Sequence, residues 1–290
     1  MQTVQPMNYR HAYHAGNFAD VVKHAALVGL LEAFKQKQTP FCYVDTHAGR
    51  GVYDLGGEEA SRTREAASGV LRLLAEPRLP ATLHIYANLV RSLDEHGGER
   101  EIRRYPGSPL IANLLMREQD RAVLCELHPV EASALRNLFQ RHANVHVHER
   151  DGYEALRALL PPKEKRGLVL IDPPFEAQEG EFLRIQTALD SALARWPTGC
   201  YVVWYPIKLR QQVEPFRRWL KHRHLDKALT AELLLHPDNS SLRLNGCGLA
   251  IINPPWRFER TLRDILDALA QHLAQSRFSE ARVEWLGSGR

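Results

Sequence analysis

The sequence predicts an α/β fold in which a central, mostly parallel sheet is flanked by helices. Short apolar runs, several of them ending on an acidic residue, alternate with helical patterns, as is typical of parallel strands joined by helices. The clearest run is residues 168–171, which are followed by Asp172-Pro173-Pro174-Phe175. Because two prolines stop strand pairing there, we expect Asp172 at the carboxyl end of a central strand, where open α/β sheets bind ligands.

The composition is that of a globular protein, with 290 residues, 44% of them apolar and 25% charged, and a formal net charge of +4. A charge this small means that any nucleic-acid affinity must come from local patches. The cysteines are far apart and lie in or beside apolar runs, so they are expected to be reduced core residues: Cys42, Cys125, Cys200 and Cys247. With no leader-like or membrane-length apolar run, the expected location is cytoplasmic, without membrane association.

The chemistry of residues 172–175 suits methylation of an exocyclic amino group. The Asp172 carboxylate can accept one hydrogen bond from the amino group, and the Pro173 carbonyl can accept the second. Phe175 can stack on the face of the base. The alternative is a strand that simply ends in a proline-stiffened turn.

The N-terminal stretch, residues 1–24, crowds polar and aromatic side chains ahead of the first clear helix. That helix is expected at about residues 19–35, with Asn17 or Asp20 as its N-cap and with Lys23 and His24 in its first turns. Two interpretations remain: a solvated terminus, or an arm that covers a site beside the sheet.

The first strand is predicted at residues 41–45, and it leads into an acid-led glycine loop, Asp45-x-x-x-Gly49-x-Gly51. Glycines at a strand end let the backbone approach a nucleotide-type ligand closely. Asp54 stands where a dinucleotide fingerprint needs its third glycine, which weakens a dehydrogenase interpretation.

A helical insertion is predicted at residues 56–104, with helices near 60–75 and 81–95. It is long for a crossover between strands. Ser108, followed by proline, is then expected to cap a helix at 109–117. The N-terminal amides of that helix could bind a carboxylate, or the motif is only a plain helix start.

Two further strands are predicted to deliver acids to the same sheet edge. Residues 121–126 end on Glu126, and an acid at the end of a second strand commonly accepts hydrogen bonds from a ribose. The strand at 144–149 leads to Asp151. We expect the Asp151 carboxylate to accept a hydrogen bond from the adenine amino group of a cofactor.

Two histidines on that strand, His146 and His148, share one face. They lack further ligands at suitable spacing, so no metal site is predicted.

The C-terminal third contains a basic segment, residues 208–227, with seven Lys or Arg and two acids. It is either a nucleic-acid surface or a solvated helix face. A helix is expected at 178–194 and strands at 200–205, 231–235 and 248–252. The last strand precedes Asn253-Pro-Pro-Trp, and we expect it toward a sheet edge, too far from the cofactor to take part in transfer.

These features together resemble the bacterial J-type 23S ribosomal RNA adenine-N6 methyltransferases, a group of class I S-adenosylmethionine-dependent enzymes. The motifs that carry the resemblance are Tyr-Arg-His-Ala-Tyr-His-Ala-Gly-Asn-Phe from residue 9, Val-Asp-Thr-His-Ala-Gly from 44, Tyr-Pro-Gly-Ser-Pro from 105, Glu-Leu-His-Pro from 126, Asp-Pro-Pro-Phe from 172, Trp-Tyr-Pro from 204 and Ile-Asn-Pro-Pro-Trp from 252. The resemblance covers residue 8 to the C-terminus. It implies one Rossmann-like methyltransferase domain over residues 1–290.

The resemblance also implies the site. The cofactor is S-adenosylmethionine, the partner is 23S ribosomal RNA, and the protein is expected to be a monomer without metal. The residues expected to bind the cofactor are Lys23, His24, His47, Gly49, Ser108, Glu126, Asp151, Gly152 and Asp172. Those expected to act in transfer are Asp172, Pro173 and Phe175, and those expected to meet the RNA are Tyr9, His11 and Phe175. Phe175 stands where the family often has tyrosine, so stacking is retained without a hydroxyl contact.

Two other functions remain open. A DNA adenine methyltransferase would use the same chemistry, although no separate DNA-reading domain is evident. A non-catalytic RNA-binding factor could use the same scaffold, although the intact motifs argue against it.

Overall fold

The structure is a computed structural model, and it describes residues 11–94, 102–176, 178–239, 241, 243–275 and 277–287. A 3-10 turn at His11–Tyr13 comes first. The helices are α1 Phe18–Lys35, α2 Glu58–Thr63, α3 Glu65–Ser68, α4 Val70–Leu74, α5 Ala81–Ser92, α6 Ser108–Leu115, α7 Pro129–Phe139, α8 Gly152–Leu159, α9 Gln178–Arg195, α10 Arg210–His222 and α11 Phe258–His272. The strands are β1 Cys42–Asp45, β2 Val52–Asp54, β3 Arg104–Pro106, β4 Arg121–Glu126, β5 Val145–Glu149, β6 Gly167–Ile171, β7 Cys200–Ile207, β8 Ala228–Leu234, β9 Gly246–Ile252 and β10 Glu280–Trp285.

Eight of these strands form one sheet in the order β10-β8-β9-β7-β6-β1-β4-β5. The pairs from β5 to β7 are all parallel, whereas β9 and β10 run against their neighbours. Helices and their apolar side chains cover both faces of the sheet. The predicted α/β fold with a mostly parallel sheet is confirmed.

Strand β6 lies beside β1 near the middle of the sheet, with Leu170 opposite Asp45. Every residue of β6 is buried, as its uninterrupted apolar sequence predicts. Because the two strands are parallel, Asp172 and the glycine loop after β1 emerge at the same edge. The four cysteines are buried and free, as expected.

Helix α1 is buried along most of its length and packs against α5, α6 and α11. Asn17 caps it by accepting a hydrogen bond from the Asp20 amide, as one of the two predicted caps. The helix also buries three polar side chains, Asp20, Lys23 and His24. Since buried charges require partners, this helix must be matched by polar groups on the sheet.

The predicted helical insertion is more broken than its sequence indicates. The helix expected near 60–75 is three short helices, α2 to α4, because Arg64 adopts a left-handed conformation and Gly69 a non-helical one. Strands β2 and β3, which were not predicted, pair at the base of the insertion. The predicted end of the second helix, residue 95, lies outside the described residues.

Ser108 was predicted to be the N-cap of α6, but it is the first residue of the helix. Gly107 holds the cap position. The Ser108 hydroxyl instead donates to Asp45 Oδ2 at 2.7 Å, so it joins α6 to the end of β1.

The prediction that the strand before Asn253 lies toward an edge is wrong. Strand β9 is inside the sheet, between β7 and β8, and it runs antiparallel to both. Helix α11 and the antiparallel edge strand β10, which follow it, were not predicted. The antiparallel direction of β9 places Asn253 at the opposite end of the sheet from Asp172.

The basic segment 208–227 is largely neutralised within the protein. Arg217 is buried and bonds to Glu284, which also binds Lys221 at 2.9 Å. Arg210 binds Glu232 and Asp238, both at 2.8 Å, and Arg223 pairs with Asp190. Most of these cations therefore attach α10 to the sheet and to α9. Among the described residues, only three cations of the segment have no ion pair: Lys208, Arg218 and Lys227.

Candidate active site

A cleft opens at the carboxyl ends of β1, β4, β5 and β6. It holds about 1060 Å³ of space, part of which is the open mouth of the cleft. Its lining includes most of the predicted site residues: His11, Lys23, His24, His47, Gly49, Ser108, Glu126, Asp151, Gly152, Asp172 and Pro173.

The glycine loop after β1 forms one wall of the cleft. Gly49 has a φ of +62°, and a Cβ there would lie 2.3 Å from the Tyr53 hydroxyl, so any other residue would be strained and would displace Tyr53. Its amide donates to Glu126 Oε2 at 2.8 Å, while the His128 amide donates to Glu126 Oε1 at 2.7 Å. These two bonds fix the carboxylate and leave it further acceptor capacity toward the cleft.

A second acid, Asp45, lies behind that wall and is fully buried. Burial raises the pKa of Asp45 to about 6, although hydrogen bonds from the Tyr43 and Ser108 hydroxyls oppose the rise. The sequence predicts that an acid leads the loop. It does not predict that this acid holds Ser108 rather than a ligand.

The start of α8 closes the far side of the cleft. A Cβ on Gly152 would lie 2.1 Å from the Thr46 carbonyl oxygen, so glycine is required for this close approach. Asp151 caps the helix by accepting from the Tyr153 and Glu154 amides. Its other oxygen accepts from Arg184 at 3.1 Å.

Arg184 was not predicted as a site residue, and no sequence signal marks it. Its guanidinium lies 4.7 Å from the centre of the Tyr153 ring and lines the cleft. Asp151 is therefore already engaged by this chain, and its expected contact with an adenine amino group stays a prediction.

A chain of charged groups connects Asp172 to helix α1. Lys23 Nζ lies 2.5 Å from Asp172 Oδ2 and 2.9 Å from Asp20 Oδ1. Asp20 Oδ2 accepts from His11 Nε2 and from the Gly16 amide, both at 3.0 Å. Asp172 Oδ2 is thus held by Lys23, while the network leaves Oδ1 available to accept a hydrogen bond.

The electrostatics of this network favour its charged form. Burial alone would lower the pKa of Lys23, but Asp172 and Asp20 outweigh it and hold that pKa well above its usual value. Burial would likewise raise the pKa of Asp20, but His11 and Lys23 hold it well below its usual value. Asp20 was predicted only as a possible cap, although its spacing three residues before Lys23 favours pairing on one helix face.

Two cleft histidines are held neutral by burial, which lowers the pKa of His24 to about 3 and that of His47 to about 4. His24 Nδ1 lies 2.7 Å from the Tyr105 hydroxyl, which in turn lies 2.9 Å from the Tyr86 hydroxyl. His47 Nδ1 lies 2.7 Å from the Thr46 hydroxyl. Neutral rings can exchange hydrogen bonds with a ligand without adding charge.

The neutrality of His24 predicts a pH dependence of stability. The pKa of His24 is lowered in the folded state, so the unfolded state takes up a proton first as the pH falls below about 6.5. Between pH 6.5 and 4.5 this should remove about 2 kcal/mol of unfolding free energy. Urea unfolding of His24→Gln should therefore show a shallower decline over this range, whereas His146→Gln, at an exposed histidine, should follow the native protein. Parallel pH curves for native protein and His24→Gln would contradict this expectation.

Phe175 lies outside the set of described residues that line the cleft, whereas Pro173 and Pro174 belong to it. The Phe175 ring packs edge-on against Phe182 and Trp204, with ring centres 5.4 and 5.7 Å away. Half-buried there, it lies just beyond the prolines. Stacking of Phe175 on a target base stays a prediction.

His11 lies in the cleft wall with its ring 4.9 Å from that of Tyr53. Tyr9, the other predicted RNA contact of the N-terminal arm, lies outside the described residues, as does Arg10. Within the described ranges, no three His, Cys, Asp or Glu side chains are grouped in a way that could hold a metal ion. None of the described helices combines the length and the apolar character that a membrane span needs.

Comparisons with known proteins identify the family of this chain. A family model described as "Ribosomal RNA large subunit methyltransferase D, RlmJ" matches residues 38–287. Two proteins named ribosomal RNA large subunit methyltransferase J, from Escherichia coli (strain K12) and Haemophilus influenzae (strain ATCC 51907 / DSM 11121 / KW20 / Rd), are each 41% identical over 280 residues, which is 97% of this chain and 99% of theirs. The crystal structure of a protein from Legionella pneumophila str. Philadelphia 1 superposes with a TM-score of 0.85 at 36% identity, covering 94% of this chain and 98% of that one. The chain therefore belongs to the RlmJ family of ribosomal RNA large subunit methyltransferases.

Proposed function

We propose that this protein transfers a methyl group from S-adenosylmethionine to N6 of an adenine in 23S ribosomal RNA. The observation that carries the proposal is the position of Asp172-Pro173. It lies at the carboxyl end of β6, beside the glycine loop of β1 and at the wall of the cleft. Family membership supports a ribosomal RNA substrate, and the acceptor pair Asp172–Pro173 supports an amino group as the target.

The residues of the cleft fit the cofactor. Glu126, fixed by two amides, has free lone pairs where ribose hydroxyls would donate. Several carboxylates around the cleft suit a ligand that carries a positive sulfonium: Glu126, Asp151 and Asp172. The neutral rings of His24 and His47 add hydrogen-bonding groups without adding positive charge. When bound, the cofactor supplies an electrophilic methyl group.

The target amino group would be oriented by this chain's own acceptors. Asp172 Oδ1 and the Pro173 carbonyl oxygen can each accept a hydrogen bond from one N–H of the amino group. This directs the nitrogen lone pair out of the plane of the base. Lys23 holds Asp172 Oδ2, so the carboxylate has one orientation before the base arrives. The same carboxylate stabilises the positive charge that develops on nitrogen during transfer.

Positioning supplies much of the expected rate, since the methyl group and the nitrogen must be held in line. The base must leave its stack to enter the cleft. Pro173 and Pro174 give the cleft a stiff rim against which the base would rest. No proton needs to be removed before transfer, because the amine loses one readily once it is methylated.

The deciding experiment compares methyl transfer to ribosomal RNA and to duplex DNA, together with a map of N6-methyladenine in 23S ribosomal RNA from cells that lack the protein. We expect turnover on ribosomal RNA only and the loss of one modified adenine in the mutant cells. Turnover on DNA would favour a DNA methyltransferase. Cofactor binding by calorimetry without transfer to either substrate would favour a non-catalytic RNA-binding factor.

A further inference from the structure

The end of the sheet opposite the cleft is strongly basic. We call this surface the amino-end edge. It consists of the loops before the parallel strands and the turn after β9, namely residues 36–41, 116–120, 140–144, 160–166, 195–199, 223–227 and 253–257. These loops hold ten Lys or Arg and four Asp or Glu. Their excess of positive charge is larger than the formal net charge of +4 of the whole chain.

The cleft end of the sheet has no such excess. The loops at the carboxyl ends of the parallel strands, as far as they are described, comprise residues 46–51, 127–128, 150–151, 172–176, 208–209 and 235–245 without 240 and 242. They hold four Lys or Arg and four Asp or Glu. Among the loops at the two ends of the sheet, the positive charge that would attract a polyanion is therefore concentrated at the amino-end edge, away from the cleft.

Hydrogen bonds join the loops of the amino-end edge into one fixed surface. The bonds run from Asn253 Nδ2 to the carbonyl oxygens of Pro197 and Gly199, from Arg195 Nε to that of Leu160, from Arg166 Nη1 to that of Thr39, and from Arg117 Nη1 to that of Lys37. Each bond connects the loops of two neighbouring strands, so these loops keep fixed relative positions. Such a surface can bind a ligand without first ordering its loops.

Several cations of this edge are free to bind a ligand. Lys163, Lys165 and Lys227 are exposed, and none has an ion pair within the described part of the chain. Like charges also crowd one another here: burial and the nearby Arg117 lower the pKa of Arg166. An anionic ligand would relieve this repulsion.

The edge also presents an aromatic ring. Trp256 is 81% exposed, and the Arg257 guanidinium lies 3.9 Å from its ring centre. The turn that holds it is anchored by Asn253, which is left-handed with a φ of +53°, and by the buried Pro254. An exposed tryptophan among Lys and Arg side chains is the combination that binds unstacked nucleic-acid bases.

We propose that the amino-end edge is a second RNA-binding surface. Its Lys and Arg side chains contact the phosphates of a ribosomal RNA segment away from the target adenine, and Trp256 stacks on an unpaired base. The inference rests on the proposed function for the identity of the RNA. The eight residues of β7 separate the two ends by about 26 Å, so only a long or folded RNA reaches both.

The test measures affinity for a long 23S ribosomal RNA fragment by fluorescence anisotropy over a range of salt concentrations. Trp256→Ala should weaken binding about 5- to 100-fold, and Trp256→Phe, which keeps a stacking ring, should lose much less. Lys163→Glu/Lys165→Glu should weaken binding at least about fivefold and reduce the slope of log affinity against log salt by about 1.4 to 1.8, since two phosphate contacts are lost. A short hairpin that carries only the target adenine should bind all variants equally.

The control is Arg72→Glu/Arg78→Glu, which makes the same change in net charge at exposed cations of α4 and of the loop that follows it. Single-turnover methyl transfer to the short hairpin at saturating concentration should stay within about twofold of the native rate in every variant. Absence of transfer by the native protein would count against the proposed function and leave the affinity result intact. Unchanged affinity and salt slope in the edge variants, or an equal loss in the control, would overturn the second surface.

Discussion

Asp172→Ala is expected to lower methyl transfer by at least about 10³-fold at saturating cofactor, with the fold intact. The carboxylate supplies one of two acceptors for the amino group and faces the charge that develops on it, and removal of one such group typically reduces the rate 10²- to 10³-fold. Misplacement of the nucleophile adds to that loss. Lys23 keeps Asp20 as a partner, so the variant should unfold at nearly the native urea concentration. Single-turnover transfer to ribosomal RNA measures the effect, and calorimetry shows whether the cofactor still binds.

Asn253→Ala is the matched control, because Asn253 begins the other Asx-Pro-Pro-aromatic motif of the chain. It donates to the Pro197 and Gly199 carbonyl oxygens at 2.8 and 2.9 Å, at the end of the sheet away from the cleft. Loss of these bonds should reduce the unfolding free energy by about 1–3 kcal/mol and leave the single-turnover rate of transfer at saturating RNA unchanged. If Asn253→Ala abolished transfer while Asp172→Ala retained it, the assignment of the site to β6 would be wrong.

The sequence predicts the position of the cleft because its signals are local to strand ends. An acid or a glycine loop that follows a parallel strand lies at one edge of the sheet whatever the order of the strands. Asp172, Glu126 and Asp151 could therefore be placed together without knowledge of strand order. The position of the strand before Asn253 was predicted wrongly, because order along the chain does not fix order in the sheet, and β9 lies between β7 and β8.

Long-range pairing is the second feature that the sequence does not reveal. Lys23 and Asp172 are 149 residues apart, and nothing local to either predicts their contact. The cations of α10 are a second example. Their spacing along the sequence predicts a charged surface, but in the structure Glu232 and Glu284, on strands distant in the sequence, bind Arg210 and Arg217. Charge patterns identify which residues need partners, but the fold supplies those partners.

The second large effect is expected for Lys23→Met, which removes the positive charge and keeps a similar chain length. The Lys23 side chain is 6% exposed, between Asp20 at 3% and Asp172 at 15%. Without the cation, two nearby carboxylates remain with little solvent to screen them. Breaking a buried ion pair in this way costs about 3–5 kcal/mol of unfolding free energy. Urea unfolding should measure a loss of that size, and transfer should fall because Asp172 loses the group that orients it.

The double variant Lys23→Met/Asp20→Asn separates these two consequences. The neutral amide removes the stranded charge on α1, so most of the lost stability should return. Transfer should stay low, because Asp172 still lacks its partner on Oδ2. Recovery of transfer together with stability would mean that Lys23 acts only through the fold. Native stability in the single variant Lys23→Met would mean that the ion pair of Lys23 with Asp172 and Asp20 contributes nothing to folding in solution.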